Sequence, residues 1–306
     1  MDDSKFADQQ LTSDLKSANA GARAASVLEV IGGVLAVIGL ISGMIPLLII
    51  GTLLAFGGGA LASRQKKQLK QSLGDRLVRS VLEEAFPGVQ YDPAGHISSS
   101  LVQSSHLILP VTYQQVSGSD DIKAVYRGMN IEFSDIALLE EIDNYDPEMN
   151  TFQTTTSTQD VFHCHWIICD LGRALPTEVQ VAVRSKVQRV FRGKGLKTGN
   201  EEFDKCFFIQ SSCEERTFSV LTPRMTEQIL SASCKFGGNL YLSFLPSGLV
   251  HIVVRSGRDF FEFGKGATNA AALRQRIHAE IAWITGIIDE LGLTSSAQQE
   301  ASGKDV

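Results

Sequence analysis

The chain has 306 residues, 43% of them hydrophobic and 20% charged, with a formal net charge of −6 at pH 7. The acidic balance speaks against nonspecific nucleic-acid binding. The irregular spacing of Cys164, Cys169, Cys206, Cys213 and Cys234 speaks against a disulfide framework and suits a reducing compartment.

Residues 1–23 form a polar tail. From Val27 to Ser63 the sequence is almost wholly apolar, and it carries no charge from Val30 onward. That length exceeds one membrane span and falls slightly short of two full ones. Gly43 and Pro46 break it in the middle, so the expected arrangement is a transmembrane helical hairpin over 24–63, with helices at Ala24–Ile41 and Pro46–Ala62. Gly32, Gly33, Ala36 and Gly39 face Gly51, Ala55, Gly58 and Gly59 as small-residue surfaces suited to close contact in lipid. One long tilted span and a buried helical hairpin are the alternatives. Arg64, Lys66, Lys67 and Lys70 follow directly and orient the hairpin with both ends in the cytoplasm.

A membrane-proximal helix is expected within 64–88. Its apolar stripe is Leu69, Leu73, Leu77, Val81, Leu82 and Phe86, and Pro87-Gly88 stops it. The segment 89–292 reads as one α+β domain. Within it, Ile97–Ser105 is a weak helix, Leu107–Tyr113 a strand, and Gly118-Ser119-Asp120 a turn. Ile122–Tyr126 and Asn130–Leu138 are strands of imperfect alternation. The acids Glu140, Glu141, Asp143, Asp146 and Glu148 lead into a Thr/Ser-rich stretch expected to be a long mobile loop. Val161–Cys169, Val179–Val183 and Phe207–Gln210 are strands, with Thr217–Leu221 continuing the sheet section. Thr222 and Pro223 open a helix to Phe236. Asn239–Leu245 and Leu249–Arg255 form a hairpin around Pro246-Ser247-Gly248, and Ala270–Leu291 is a long helix. Residues 293–306 form a flexible tail.

Three phrases carry a resemblance: SGSDDIKAVYRGMNIEFSDIALLE (117–140), EEFDKCFFIQSSCEERTFSVLTPRMTEQIL (201–230) and NLYLSFLPSGLVHIVVRSGRDFFE (239–262). With the preceding apolar stretch, the chain over most of Val27–Leu291 resembles a bacterial membrane-associated family known as domain-of-unknown-function family 3137. The resemblance implies a short membrane hairpin followed by a cytoplasmic domain. For some members it also implies genes near those of LemA-like membrane proteins, which hints at envelope work. It implies no active site. Where relatives carry a phrase like F-x-G-x-F, this chain has Phe162-His163-Cys164-His165-Trp166.

No reactive motif of fixed spacing is present. His163 and His165 share one face of a strand and are a weak metal alternative that needs a further ligand such as His251 or Cys213. Cys206, Cys213 or Cys234 meeting His251 is a nucleophile alternative. The basic run Arg184, Lys186, Arg189, Phe191, Arg192, Lys194 and Lys197 suits contact with anionic lipid or a partner. The sequence therefore predicts an N-terminal transmembrane helical hairpin followed by a cytoplasmic α+β domain with an antiparallel or mixed sheet. The expected role is a membrane-anchored interaction or scaffold protein, with a Cys/His-pocket hydrolase or redox enzyme as the alternative. The expected location is the inner (cytoplasmic) membrane, multi-pass. The expected partners are the bilayer and another membrane protein or a second copy of the chain, with no nucleic acid and no cofactor.

Overall fold

The computed structural model describes residues 75–144, 155–184, 195–237, 239–257, 260–261 and 270–294, together with Ser13 and Ile38. In chain order the elements are α1 (75–85), β1 (Gln90–Asp92), α2 (Ser99–Ser104), β2 (Gln115–Tyr126), β3 (Met129–Asn144), β4 (Thr155–Asp170) and β5 (Val179–Val183). They continue as α3 (Glu201–Cys206), β6 (Phe207–Ser211), α4 (Glu214–Val220), α5 (Pro223–Phe236), β7 (Leu240–Phe244), β8 (Leu249–Val254) and α6 (Ala270–Glu290).

The chain divides into two compact units, Met1–Val81 with Phe261–Ala279, and Leu82–Phe260 with Glu280–Val306. In the first unit the described stretches are mainly helical. They belong to α1 and α6 and bury Leu77, Val78, Val81, Ala270, Leu273 and Ile277. The second unit holds the sheet. Its eight strands run in the order β1-β2-β3-β4-β8-β7-β5-β6, and every pairing is antiparallel.

The central strands are apolar on both sides, which is what a sheet covered on both faces requires. On one face lie Ile136, Leu138, Phe162, Cys164, Trp166, Ile168, Tyr241 and Val253, covered by Ile97, Val102 and Ile108 from the segment around α2. On the other face lie Ile131, Phe133, Ile167, Val250, Ile252, Val254 and Leu242, all buried. Alternation of side chains along a strand separates the two sets.

Local chemistry fixes several boundaries. Thr222 caps α5 by accepting a hydrogen bond from the Met225 N–H at 3.2 Å, Pro223 takes the first turn, and Gly237 at φ 117° ends it. The β7–β8 hairpin closes with Gly248 at φ 92°, where a Cβ would lie 2.1 Å from the Arg173 carbonyl oxygen. Only glycine fits there.

Four expectations are corrected. Gly118-Ser119-Asp120 is no turn between strands but part of β2, whose register shifts between Ser119 and Ile122. The bulge absorbs the irregular pattern. β4 starts at Thr155, inside the stretch expected to be loop, because its β-branched threonines pair with β3 as far as Asn144↔Thr155. Leu107–Tyr113 is irregular, and Thr217–Leu221 falls largely in helix α4, where the Thr217 hydroxyl donates to the Cys213 carbonyl.

The largest correction concerns the membrane. Among the described residues no helix is long and apolar enough to cross one. The longest described helix, α6, carries Arg274, Arg276, Glu280, Asp289 and Glu290 along its 21 residues. The architecture is therefore an eight-stranded antiparallel sheet with helices, most of them toward the C-terminal part. The expected hairpin over 24–63 lies outside the described residues apart from Ile38, as does the cluster Arg64, Lys66, Lys67 and Lys70. The multi-pass inner-membrane location drawn from them is set aside on the same finding.

Candidate functional site

Strand register brings together three polar side chains that are far apart in sequence. Asp135 on β3 lies directly opposite His165 on β4, and His165 lies opposite Val254 on β8. Ser256 stands two residues beyond Val254, so the chain leaving β8 delivers it to the same side. The His165 Nδ1 and the Asp135 Oδ1 form a short hydrogen bond, and the Ser256 hydroxyl lies 2.6 Å from His165 Nε2. The second carboxylate oxygen of Asp135 accepts the Phe260 backbone N–H at 2.8 Å.

This arrangement assigns the protons. The carboxylate accepts from Nδ1–H, which leaves the Nε2 lone pair to accept from the Ser256 O–H. Asp135 is 3% exposed and His165 1%, whereas Ser256 is partly exposed. The buried carboxylate and imidazole thus meet water through the hydroxyl end. Aromatic rings enclose His165. Phe260 stacks on it at 3.9 Å between centroids, Phe133 stacks at 5.9 Å, and Trp283 meets it edge-on at 5.2 Å. Such packing holds the ring in one orientation. Gly257 follows Ser256 at φ 67°, and a Cβ built on it would meet nothing within 4 Å.

The opposite sheet face has its own buried histidine. Trp166 Nε1–H donates to His251 Nδ1 at 3.1 Å, and among the described residues His251 Nε2 has no hydrogen-bond partner. Burial lowers the His251 pKa to about 4, so the ring is neutral at pH 7. A separate hollow of about 340 Å³ is lined in part by Lys123, Glu132, Ile168 and Asp170. There Lys123 pairs with Asp121 at 3.5 Å and Glu132 at 3.3 Å, while burial and then Asp121 raise the Glu132 carboxyl. None of Asp135, His165 and Ser256 lines that hollow.

The residues singled out from sequence fare unevenly. His163 is half-buried on β4, and among the described residues no three His, Cys, Asp or Glu side chains come together to hold a metal. Cys164 and Cys169 are buried, which pushes both thiols far up, away from the reactive thiolate. Cys206 and Cys234 are exposed and Cys213 is intermediate, while His251 bonds to Trp166. The Cys–His pairing with His251 is therefore not formed. Arg184 is tied to β6 through Nη2 and the Phe207 carbonyl at 2.9 Å, and Lys197 is exposed. Lys186, Arg189, Phe191, Arg192 and Lys194 lie outside the described residues.

Asp135 and Ser256 were not among the sequence candidates. The available signal was the acid on the inward side of an otherwise apolar strand, Ile131-Phe133-Asp135, opposite an inward histidine.

Residues 160–293 match the family described as "Protein of unknown function (DUF3137)". Over this part, less than half of its length, the chain is similar to that family. The match is shorter than the stretch expected from the sequence phrases. It contains His165 and Ser256 but not Asp135, which the preceding β3 supplies. No curated protein and no solved structure matches the chain.

Proposed function

We propose that the Asp135–His165–Ser256 relay makes this protein a serine-dependent hydrolase acting on acyl substrates such as esters, thioesters or amides. The hydrogen-bonded sequence of carboxylate, imidazole and partly exposed hydroxyl carries the reading. In that chemistry Ser256 Oγ bonds to the substrate carbonyl carbon while its proton passes to His165 Nε2. Asp135 holds the ring and stabilises the imidazolium. Collapse of the tetrahedral intermediate breaks the bond to the leaving group, which takes the proton from Nε2. Water then attacks the acyl-serine, gives its proton to the same nitrogen, and the proton returns to Ser256 as the acid departs. The Gly257 N–H, next to the nucleophile, is positioned by sequence as a donor to the developing oxyanion.

The test uses the full chain. A fluorophosphonate probe is expected to label Ser256, located by peptide mass spectrometry, and short p-nitrophenyl esters are expected to be hydrolysed. Ser256→Ala is expected to abolish labelling, and Asp135→Asn to slow hydrolysis on the order of 10³-fold or more. An unlabelled chain, with Ser256→Ala no slower than the parent, overturns the hydrolase and returns the domain to the interaction role expected from sequence.

A further inference from the structure

We infer that Trp283 and Phe236 form the wall that receives the acyl group, so that the substrates are esters or thioesters of apolar acyl chains longer than acetyl. This rests on the hydrolase reading above. Trp283, on α6, meets the His165 ring edge-on at 5.2 Å between centroids. Phe236, the last residue of α5, meets Trp283 edge-on at 5.7 Å. A row of rings thus runs outward from the imidazole that the Ser256 hydroxyl touches. Exposure changes along it: His165 is 1% exposed, whereas Trp283 and Phe236 are each partly exposed. The other tryptophan, Trp166, is fully buried and spends its N–H on His251. Trp283 instead keeps surface open beside a reactive hydroxyl. An apolar lining with a few convergent polar groups is the composition of a ligand site.

The wall is held from behind. Lys235 pairs with Glu290 at 2.5 Å, and the Ser231 hydroxyl donates to the same carboxylate, which ties α5 to the end of α6. Gly286 lies one turn beyond Trp283, and a Cβ on it would stand 3.1 Å from Phe236 Cζ, so the bare backbone gives that ring room against the helix. All these residues belong to the second unit, with His165 and Ser256. The acyl part of a substrate stays bonded to Ser256 Oγ through the covalent intermediate, whereas the leaving group departs when that intermediate forms. A fixed apolar surface one ring away therefore serves the acyl part in acylation and deacylation alike. A longer chain gains contact with the indole and then with Phe236, and each methylene buried there adds to binding. Acetyl, with one carbon beyond the carbonyl, is too short to make those contacts.

The experiment reads binding and chemistry separately on the full chain. Hydrolysis of p-nitrophenyl acetate, butyrate and hexanoate varies the acyl chain and holds the leaving group constant. The parent is expected to favour hexanoate over acetate by about tenfold in kcat/KM, and Trp283→Ala to erase most of that preference. Phe236→Ala is expected to narrow it, and serves alone if Trp283→Ala does not fold. Phe218→Ala removes a different exposed ring, on α4, and is expected to match the parent. Binding without turnover is read from tryptophan emission during titration with hexanoate, against acetate as control. A saturable change is expected with hexanoate only, and its loss in Trp283→Phe assigns the signal to Trp283, since Trp166 is 0% exposed. Ester hydrolysis that is flat with acyl length, or a preference unchanged in the folded wall variants, overturns the wall and leaves the hydrolase standing. A saturable hexanoate signal with no hydrolysis and no fluorophosphonate labelling of Ser256 overturns the hydrolase and leaves Trp283 as a site for apolar carboxylates. Neither signal nor hydrolysis overturns both.

Discussion

Acidification from pH 7 to pH 4 is expected to remove stability through one side chain, His251. It is 0% exposed, accepts the Trp166 N–H, and has its pKa lowered by burial from 6.5 to about 4. In the unfolded chain the same imidazole takes up a proton below about pH 6.5. Between the two values the unfolded state binds more protons than the folded one, so stability falls as the pH falls. At roughly 1.4 kcal/mol per unit, the full gap is worth about 3.5 kcal/mol, of which about 3 kcal/mol falls between pH 7 and pH 4. That contribution is intact above pH 6.5 and gone by about pH 4. The assay is urea unfolding at several pH values from 7 to 4, on the parent and on His251→Leu. The variant leaves the Trp166 N–H without its acceptor, a cost that does not depend on pH and drops out of the trend. Subtracting the two curves removes the carboxylates and the other histidines. The difference is expected to shift against the parent by about 3 kcal/mol over this range. A difference flat with pH, or an NMR titration placing His251 near 6.5, would refute the reasoning.

Three further outcomes follow from particular contacts. Gly118→Ala places a Cβ 2.2 Å from the Asp135 carbonyl oxygen. It is expected to cost about 1–3 kcal/mol and to displace the β3 backbone that carries the relay carboxylate, seen as lower Ser256 labelling alongside a lower Tm. Thr222→Ala removes the α5 cap. A loss of about 1 kcal/mol in urea unfolding is expected, with Thr222→Ser restoring most of it. Ile252→Ala empties a fully buried position on β8, between β4 and β7. Its expected cost is about 2–5 kcal/mol, read in the same unfolding assay, and a cost within 0.5 kcal/mol would show that the sheet collapses around the site.

Signals confined to a few neighbouring residues could be read from the sequence. Thr222-Pro223 opens a helix in any context that allows one, and Pro246-Ser247-Gly248 between two apolar runs closes a hairpin. Val179–Val183 was recognisable because valine at every second position suits a strand. What depended on partners was not readable. The threonines of Thr155–Thr158 look like loop until β3 is set beside them. Gly118-Ser119-Asp120 looks like a turn until pairing with β3 places it in β2 beside a bulge. The relay is the extreme case. Asp135, His165 and Ser256 meet only through two successive strand registers, and none of the three carries a local pattern. The apolar run 27–63 teaches a related lesson. Hydropathy states that a surface avoids water, but it does not name what covers that surface.

The family boundary cuts this fold in an awkward place. A fragment trimmed to 160–293 would begin near the middle of β4 and leave behind β1, β2 and β3. The base and the hydroxyl would survive, but their carboxylate would not. Val161 to Asp170 would become a bare strand rim of mostly oily residues, open to pairing with any neighbour. Insolubility of such a truncated piece would report that missing half of the sheet, not a defect of the domain, and recombinant work on this protein should start upstream of Gln90.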